Sequence, residues 1–158
     1  MTADVAVSVD VAATVEVAFS AMVDLASQDR WMLGTKLFPL EGDVAVPEVG
    51  SRMAALTGIG GIGVLDTMVV TVFDPPYRWE TTHTGNAFKG KGIFLVEPRG
   101  EHGARITWKE EIELPLGILG RLGWPVAKPL VRWGLAKSLN SLAKGILDGT
   151  LPVNPPRR

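Results

Sequence analysis

The sequence predicts a single α+β domain in which a strand, two short helices, six further strands and a long helix follow one another. Apolar and polar residues alternate at the start, strand-like runs separated by Gly and Pro fill residues 36–114, and helical spacing follows. The 158 residues, 46% of them hydrophobic and none of them Cys, are enough for a core without disulfides. We expect one domain over residues 1–152 and a frayed tail over residues 153–158.

The first strand and the first helix are predicted close to the start of the chain. Valines at every second position of residues 5–11 alternate with small or polar residues, which indicates a strand with one buried face. Thr14 is placed to cap a helix, because its hydroxyl oxygen can accept a hydrogen bond from the first turn. Apolar residues at helical spacing continue to Leu25, and a second short helical or irregular piece is expected over residues 27–33.

Six strands are predicted between residues 36 and 114, from runs bounded by Gly, Pro and polar turns. They cover residues 36–42, 51–57, 64–73, 77–84, 88–97 and 104–114. Asp74-Pro75-Pro76 forms a corner between two of them, because proline has no N–H to donate to a strand ladder. Together with the first strand, the predicted sheet has seven strands.

Residues 58–63 read Gly-Ile-Gly-Gly-Ile-Gly and match the GxGxxG pattern of dinucleotide sites. Such a site needs a helix N-terminus directly after the glycines, since that end binds the pyrophosphate. Residues 64–70 are instead rich in β-branched residues and typical of a strand. We therefore interpret the glycines as a hairpin turn that uses positive φ angles.

A long C-terminal helix is predicted from apolar residues at helical spacing, namely Val131, Leu135, Leu139, Leu142 and Ile146. Pro125 or Pro129 is expected in its first turn, where proline is tolerated. Gly149 and Pro152 are expected to end it.

The formal net charge of −1 conceals a division along the chain. Residues 1–114 carry nine basic and 16 acidic residues, a net charge of −7, whereas residues 115–158 carry a net charge of +6. Attraction between a basic helix and an acidic sheet offers a structural explanation. The alternative is contact with a membrane surface, since residues 114–135 mix apolar residues with three basic ones.

Several classes of protein are disfavoured by composition and pattern. The near-neutral total charge argues against a nucleic-acid partner, and neither a secretory signal nor an apolar run of membrane-spanning length is found, so we expect a cytoplasmic protein. No GxSxG motif is present, and the two His residues have no partners at metal-ligand spacing. We expect no metal and no cofactor, and the oligomeric state is left open.

Glu110 is the residue that points most sharply to a site. Within residues 104–114 it belongs to the apolar phase of the strand, which is expected to face the C-terminal helix. A desolvated carboxylate there either raises its pKa or finds a cation. It is expected to pair with a basic residue of that helix such as Arg132 or Lys137, or to act as a polar anchor or general acid/base beside His83.

The histidines and two glycines leave further alternatives. His83 is in phase with Trp79 and faces inward if Trp79 does, although a strand-end histidine in contact with water is the favoured interpretation. His102 lies in a turn and is expected to be solvated. Gly90 and Gly92 either leave room for a ligand or let the sheet bend.

Several short motifs, in order, resemble the polyketide cyclase/dehydrase and lipid-transport family of the START-related, birch-pollen-allergen-like (SRPBCC) superfamily. They are Asp24-Leu25 with Arg30-Trp31, Val49-Gly50-Ser51, Phe-Asp-Pro-Pro-Tyr-Arg-Trp-Glu over residues 73–80, and Thr-Trp-Lys-Glu over residues 107–110. The resemblance implies a helix-grip fold, in which a curved seven-stranded antiparallel sheet wraps around the C-terminal helix and leaves an apolar cavity. Members mostly bind lipids, sterols or polyketides, and a minority are cyclases.

The expected function is therefore binding or transport of a hydrophobic small molecule, without catalysis. The expected lining of the cavity is Trp79, His83, Phe88, Phe94, Trp108, Glu110, Leu135 and Leu139. The first alternative is a cyclase or dehydratase acting on a polyketide-like carbonyl compound, with Glu110 and His83 as acid and base. The second is a membrane-associated partner protein that docks through the basic C-terminal segment.

Overall fold

A seven-stranded antiparallel sheet, two short helices and a long C-terminal helix make up the computed structural model, which describes residues 2–41, 47–60, 62–114 and 117–152. The strands are β1 (Thr2–Val11), β2 (Thr35–Pro39), β3 (Arg52–Ile59), β4 (Ile62–Asp74), β5 (Arg78–His83), β6 (Gly90–Arg99) and β7 (Gly103–Glu113). The helices are α1 (Val15–Val23), a 3₁₀ helix (Leu25–Arg30) and α2 (Ile118–Leu147). The predicted helix-grip architecture is confirmed. The predicted frayed tail lies outside the described residues.

The strand order is β1-β7-β6-β5-β4-β3-β2, and every neighbouring pair is antiparallel. Consecutive strands from β2 to β7 are neighbours, and β1 joins the free edge of β7. The β1–β7 register places Val5 opposite Glu110 and Val7 opposite Trp108. The N-terminal strand therefore lies next to the strand that precedes α2.

The concave face of the sheet holds the core. On β1, Val5, Val7 and Val11 are buried while Asp4 and Ala6 are exposed, as the alternation predicts. The residues of β6 and β7 that face the same side of the sheet, among them Val96 and Ile106, are also buried, and α1 packs over these strands. One end of the concave face is therefore filled by apolar side chains.

The first helix begins where the sequence predicts. Thr14 Oγ1 accepts a hydrogen bond from the N–H of Val17 at 3.4 Å, which satisfies one free donor of the first turn. The 3₁₀ helix follows directly, slightly earlier than the predicted second piece, and Gln28 Nε2 donates to the buried Met22 carbonyl at 2.8 Å. This hydrogen bond ties the two short helices together.

The glycine-rich segment is a β-hairpin. Gly58 pairs with Gly63 and Ile59 with Ile62, so the GxGxxG residues continue β3 and begin β4 instead of preceding a helix. Gly60 has φ +63° at the turn. A side chain on Gly58 would overlap the backbone of Ile62, which explains a glycine at this close approach. The hairpin interpretation is confirmed and the dinucleotide interpretation is excluded.

Helix α2 starts earlier than the sequence indicates. It begins at Ile118, so the expectation that Pro125 or Pro129 lies in the first turn is wrong, and both prolines lie inside the helix. Each proline removes one main-chain hydrogen bond, but this half of α2 is exposed, and water can bond to the freed carbonyl oxygens. The helix ends at Leu147 and is followed by Gly149 at φ +66°, as predicted.

Only the second half of α2 enters the core. Its buried residues are Ser138, Leu139, Leu142, Gly145 and Ile146. Exposed apolar residues characterise its first half, namely Ile118, Leu119, Leu122, Val126, Leu130 and Trp133. None of the described helices has both the length and the apolar character needed to cross a bilayer.

The expected attraction between the basic helix and the acidic sheet does not take the form of ion pairs. Among the described residues, no salt bridge joins α2 to a strand. Lys144 pairs with Asp148, and Lys137 Nζ lies 5.1 Å from the centre of the Trp133 ring. Acidic residues of the sheet pair with cations of the sheet, as Asp10 does with Arg105 at 2.7 Å.

Candidate functional site

Three ionisable side chains meet on the concave face near the ends of their strands. Asp66 lies on β4, His83 is the last residue of β5, and Glu110 lies on β7. The registers that pair Met68 with His83, and Gly92 with Glu110, bring these positions to the same end of the sheet. We refer to Asp66, His83 and Glu110 as the polar cluster.

The imidazole of His83 lies between the two carboxylates. His83 Nδ1 is 2.5 Å from Asp66 Oδ2, and His83 Nε2 is 3.4 Å from Glu110 Oε2. The side chains of His83 and Glu110 are 13% and 14% exposed, whereas that of Asp66 is 4% exposed. The second oxygen of Glu110 accepts a hydrogen bond from Trp108 Nε1 at 2.6 Å.

The surroundings of His83 act on its pKa in opposite directions. Burial disfavours the charged imidazolium, but the hydrogen bonds to Glu110 and Asp66, with their negative charges, outweigh burial and raise the pKa of His83 above its ordinary value. When the ring is protonated, both nitrogens donate, one to each carboxylate. The cluster thus favours the protonated imidazole more than water does.

Glycines give the carboxylates space. A Cβ on Gly92 would lie 3.2 Å from Glu110 Oε1 and 3.1 Å from Thr81 Oγ1, closer than side chains normally pack. A Cβ on Gly85, in the loop after β5, would overlap Asp66 Oδ1. The space left by the absent Gly92 side chain is therefore taken by a residue of the polar cluster.

A row of aromatic rings adjoins the polar cluster. Trp79 stacks on Phe94 with ring centres 5.2 Å apart, Phe94 contacts Trp108 at 4.8 Å, and Trp31 meets Trp108 edge-on at 6.2 Å. Trp79 and Phe94 are buried, and Trp108 is half-buried. Trp31, which the lining expected from sequence leaves out, is thus part of the same aromatic row.

The remaining expected lining residues differ in their positions. Leu139 is buried in the core and Leu135 packs against it half-buried. Phe88 is not on a strand as predicted, because β6 begins at Gly90; it lies in the loop before β6 and is exposed. Its ring centre is still 6.3 Å from that of His83, so Phe88 borders the polar cluster from the loop.

The sequence left Glu110 and the histidines with alternatives, and the structure distinguishes them. The expected pairing of Glu110 with Arg132 or Lys137 is wrong: its partners are His83 and Trp108, because Gly92 leaves space for the carboxylate between strands. His83 is at a strand end, yet both ring nitrogens lie near carboxylates. His102 is 90% exposed, as predicted.

Asp66 is the member that sequence reasoning missed. It shares its strand phase with Met68 and Val70, so it is a single acid among inward-facing apolar residues. The same pattern singled out Glu110, and applied to residues 64–70 it would have found Asp66 as well.

The described residues form neither a metal centre nor an enclosed cavity at the polar cluster. Among the residues that the structure describes, no group of three or more His, Asp or Glu is placed to hold a metal ion. Two open depressions, of about 320 and 360 Å³, border the β3–β4 hairpin and the C-terminal end of α2. Neither depression is lined by the residues expected from the sequence.

Solved structures with the same fold come from several organisms. TTHA0849 from Thermus thermophilus has a TM-score of 0.77 at 18% identity, covering 94% of this chain and 99% of that chain. A START superfamily protein from Mycobacterium smegmatis has a TM-score of 0.63 at 21% identity, covering 94% of this chain and 96% of that chain. Norcoclaurine synthase from Thalictrum flavum, in complex with dopamine and hydroxybenzaldehyde, has a TM-score of 0.67 at 14% identity, covering 94% and 88%. No curated protein matches in sequence.

The seven-stranded antiparallel sheet and the long C-terminal helix packed on it form the helix-grip architecture, a fold that this chain shares with the START superfamily protein. Residues 2–146 match the family described as "Polyketide cyclase / dehydrase and lipid transport". The chain belongs to this family. Family and fold together suggest binding of a hydrophobic ligand or polyketide cyclase-like activity.

Proposed function

We propose that this protein binds or carries a hydrophobic small molecule, such as a lipid, a sterol or a polyketide-like compound, on the concave face of its sheet. The observation that carries the proposal is the contrast along α2. Its second half fills one end of the concave face, and its first half leaves apolar residues exposed. A ligand between the first half of α2 and the half-buried Trp108 would cover apolar surface that the chain leaves uncovered.

Apolar burial supplies most of the affinity in this proposal. Each Å² of apolar surface removed from water contributes about 25 cal/mol, so a lipid-sized body gains several kcal/mol even after the cost of immobilisation. Trp108, the half-buried member of the aromatic row, offers its ring to the ligand body. His83 and Glu110 would orient a single polar group, as is typical of sites for apolar molecules.

The test is binding by the purified protein. Native mass spectrometry is expected to show a co-purifying small molecule, or the neutral probe Nile red to fluoresce more strongly when bound. Ile112→Trp, on the inward phase of β7 beside Glu110, should weaken probe binding by filling the site, whereas Ile93→Trp on the opposite face of β6 should not. Absence of both a bound mass and a fluorescence increase would contradict the proposal.

A cyclase or dehydratase is the second candidate, favoured by the imidazole held between two carboxylates. As an imidazolium, His83 can donate a proton to a carbonyl oxygen, while Glu110 accepts one from carbon or oxygen. Norcoclaurine synthase is an enzyme with this fold, which supports catalysis as a use of it. Glu110→Gln is expected to abolish turnover of a polyketide-like carbonyl compound but preserve Nile red binding; unchanged turnover would remove Glu110 from this role.

Contact with a membrane surface is a further candidate, supported by apolar residues at the same end of the sheet. Ile59 and Ile62, at the tip of the β3–β4 hairpin, are 88% and 85% exposed. Only four residues separate β7 from the start of α2, so Leu122 and Arg121 lie near this end as well. Apolar and basic residues together suit an anionic bilayer surface.

The membrane candidate is tested by sedimentation with anionic phosphatidylserine vesicles. Wild type is expected to sediment at low salt and to be released as salt rises. Leu122→Ser should weaken sedimentation, whereas Leu147→Ser, equally apolar and exposed at the far end of α2, should not. No sedimentation of wild type at low salt would exclude this contact.

A further inference from the structure

The charge of the polar cluster is not balanced by its own members. Two carboxylates flank one imidazole, so the cluster has a net charge of −1 when His83 is protonated and −2 when it is neutral. Such a charge is costly on an apolar face unless a cation accompanies it.

Among the described residues, no cation other than His83 accompanies the two carboxylates of the polar cluster. Within residues 2–41, 47–60, 62–114 and 117–152, His83 is the only ion-pair partner of either Asp66 or Glu110. Lys89, on the loop beside the cluster, is exposed and donates to the Gly85 carbonyl oxygen at 2.8 Å. Lys109 on β7 pairs with acids of the opposite face. The excess negative charge is therefore available to a ligand.

One carboxylate oxygen of the cluster also has no donor. Asp66 is 3% exposed, and its Oδ1 has no hydrogen-bond partner among the described residues, while its Oδ2 contacts His83. Gly85 lies against this oxygen, where a larger residue would overlap it. No N–H or O–H group among the described residues therefore offsets the negative charge on this oxygen by a hydrogen bond.

The neighbouring groups also favour positive charge. The Trp108 indole donates to Glu110 at 2.6 Å and contacts Phe94 and Trp31. Aromatic ring faces attract cations, and apolar surroundings screen charge less than water does. Carboxylate and aromatic rings thus act in the same direction on a ligand's polar end.

We propose that the polar cluster selects ligands whose polar end is a cationic nitrogen, a protonated amine or a quaternary ammonium, on an otherwise apolar body. The nitrogen reaches Glu110, the more exposed of the two carboxylates, and the body lies against Trp108. Ligands that end in a carboxylate are repelled. This inference rests on the proposed binding of a hydrophobic molecule and adds the class of that molecule.

Three ligands with one apolar body test the selection. Decylamine, decanol and decanoate are titrated at neutral pH against protein that carries Nile red. Decylamine is expected to displace the probe at about tenfold lower concentration than decanol, and decanoate to be the weakest. Equal displacement by decylamine and decanol, or stronger displacement by decanoate, would overturn the inference.

A pair of variants locates the selection at the polar cluster. Glu110→Gln is expected to lose the preference for decylamine, so that decylamine and decanol displace the probe at similar concentrations. Glu111→Gln, one residue away on the opposite face, makes the same change in charge and is expected to keep the preference. A preference that persists in Glu110→Gln would overturn the inference.

The wild-type protein distinguishes failure of this inference from failure of the proposed function. Wild type that binds Nile red without preferring decylamine overturns this inference alone, whereas wild type that binds no probe also overturns the proposed function.

Discussion

The two ends of the concave face are built differently. At one end Val96, Ala104 and Ile106 are buried beneath α1 and the second half of α2, and the side chains there are apolar. At the other end lie the polar cluster and the exposed first half of α2. The boundary along the helix is Ser138, whose hydroxyl accepts a hydrogen bond from the Leu33 N–H at 2.9 Å and donates to the Gly134 carbonyl.

This difference separates the part of the molecule that supplies stability from the part suited to binding. A filled apolar end stabilises the fold and leaves no space for a ligand. An end with half-buried ionisable groups and exposed apolar residues contributes less to stability and more to recognition. Substitutions at the two ends should therefore have different consequences.

The largest expected effect is at the filled end. Leu142→Ala removes a fully buried side chain and is expected to lower the free energy of unfolding by about 2–5 kcal/mol. Leu130→Ala makes the same change on an exposed turn of the same helix and should alter it by no more than about 0.5 kcal/mol. Urea denaturation of both variants measures the difference. Equal destabilisation would mean that the first half of α2 is packed in solution.

The next largest effect is expected on the pKa of His83, which is measured by NMR titration. Glu110→Gln removes a carboxylate that favours the imidazolium, and the pKa of His83 is expected to fall. Glu111→Gln should leave it unchanged. The chain has two histidines, and the exposed His102 serves as an internal reference in every sample. A pKa of His83 equal in wild type and Glu110→Gln would contradict the described cluster.

A smaller effect is expected on the pH dependence of stability. The pKa of His83 is higher in the folded protein, so its stabilisation is complete below the unfolded value, about 6.5, and is lost as pH rises through the folded value. The stability advantage of wild type over His83→Gln should therefore shrink on going from about pH 6 to about pH 9. Urea midpoints at several pH values measure it. An advantage that grows with pH would reverse the assigned sign.

The smallest expected effect is at Gly92. A methyl group there would crowd Glu110 and Thr81 at 3.1–3.2 Å, so Gly92→Ala is expected to cost about 1 kcal/mol or less as the carboxylate moves by a few tenths of an ångström. The shift should change the NMR signal of His83 more than that of His102. An unchanged His83 signal would mean that Gly92 has no part in placing Glu110.

The succession of strands and the inward phase of β1, β5, β6 and β7 followed from the sequence, because a period of two residues fixes which side chains share a face. The same reasoning placed Glu110 on the concave face beside His83. Applied to β4 it would also have placed Asp66 on that face, but not in contact with His83, since that contact depends on the register between β4 and β5. The start of α2 was also missed, because an exposed helix half with two prolines lacks the amphipathic stripe that marks a packed helix.

The most direct test is to determine where on the protein a hydrophobic molecule binds. Protein labelled at histidine with ¹³C is titrated with Nile red, and the signals of His83 and His102 are followed by NMR. We expect the signal of His83 to shift progressively to saturation while that of His102, in the β6–β7 turn, does not move. Saturable probe binding that leaves the His83 signal unchanged would contradict binding at the polar cluster, because the molecule would then bind away from the polar end of the concave face.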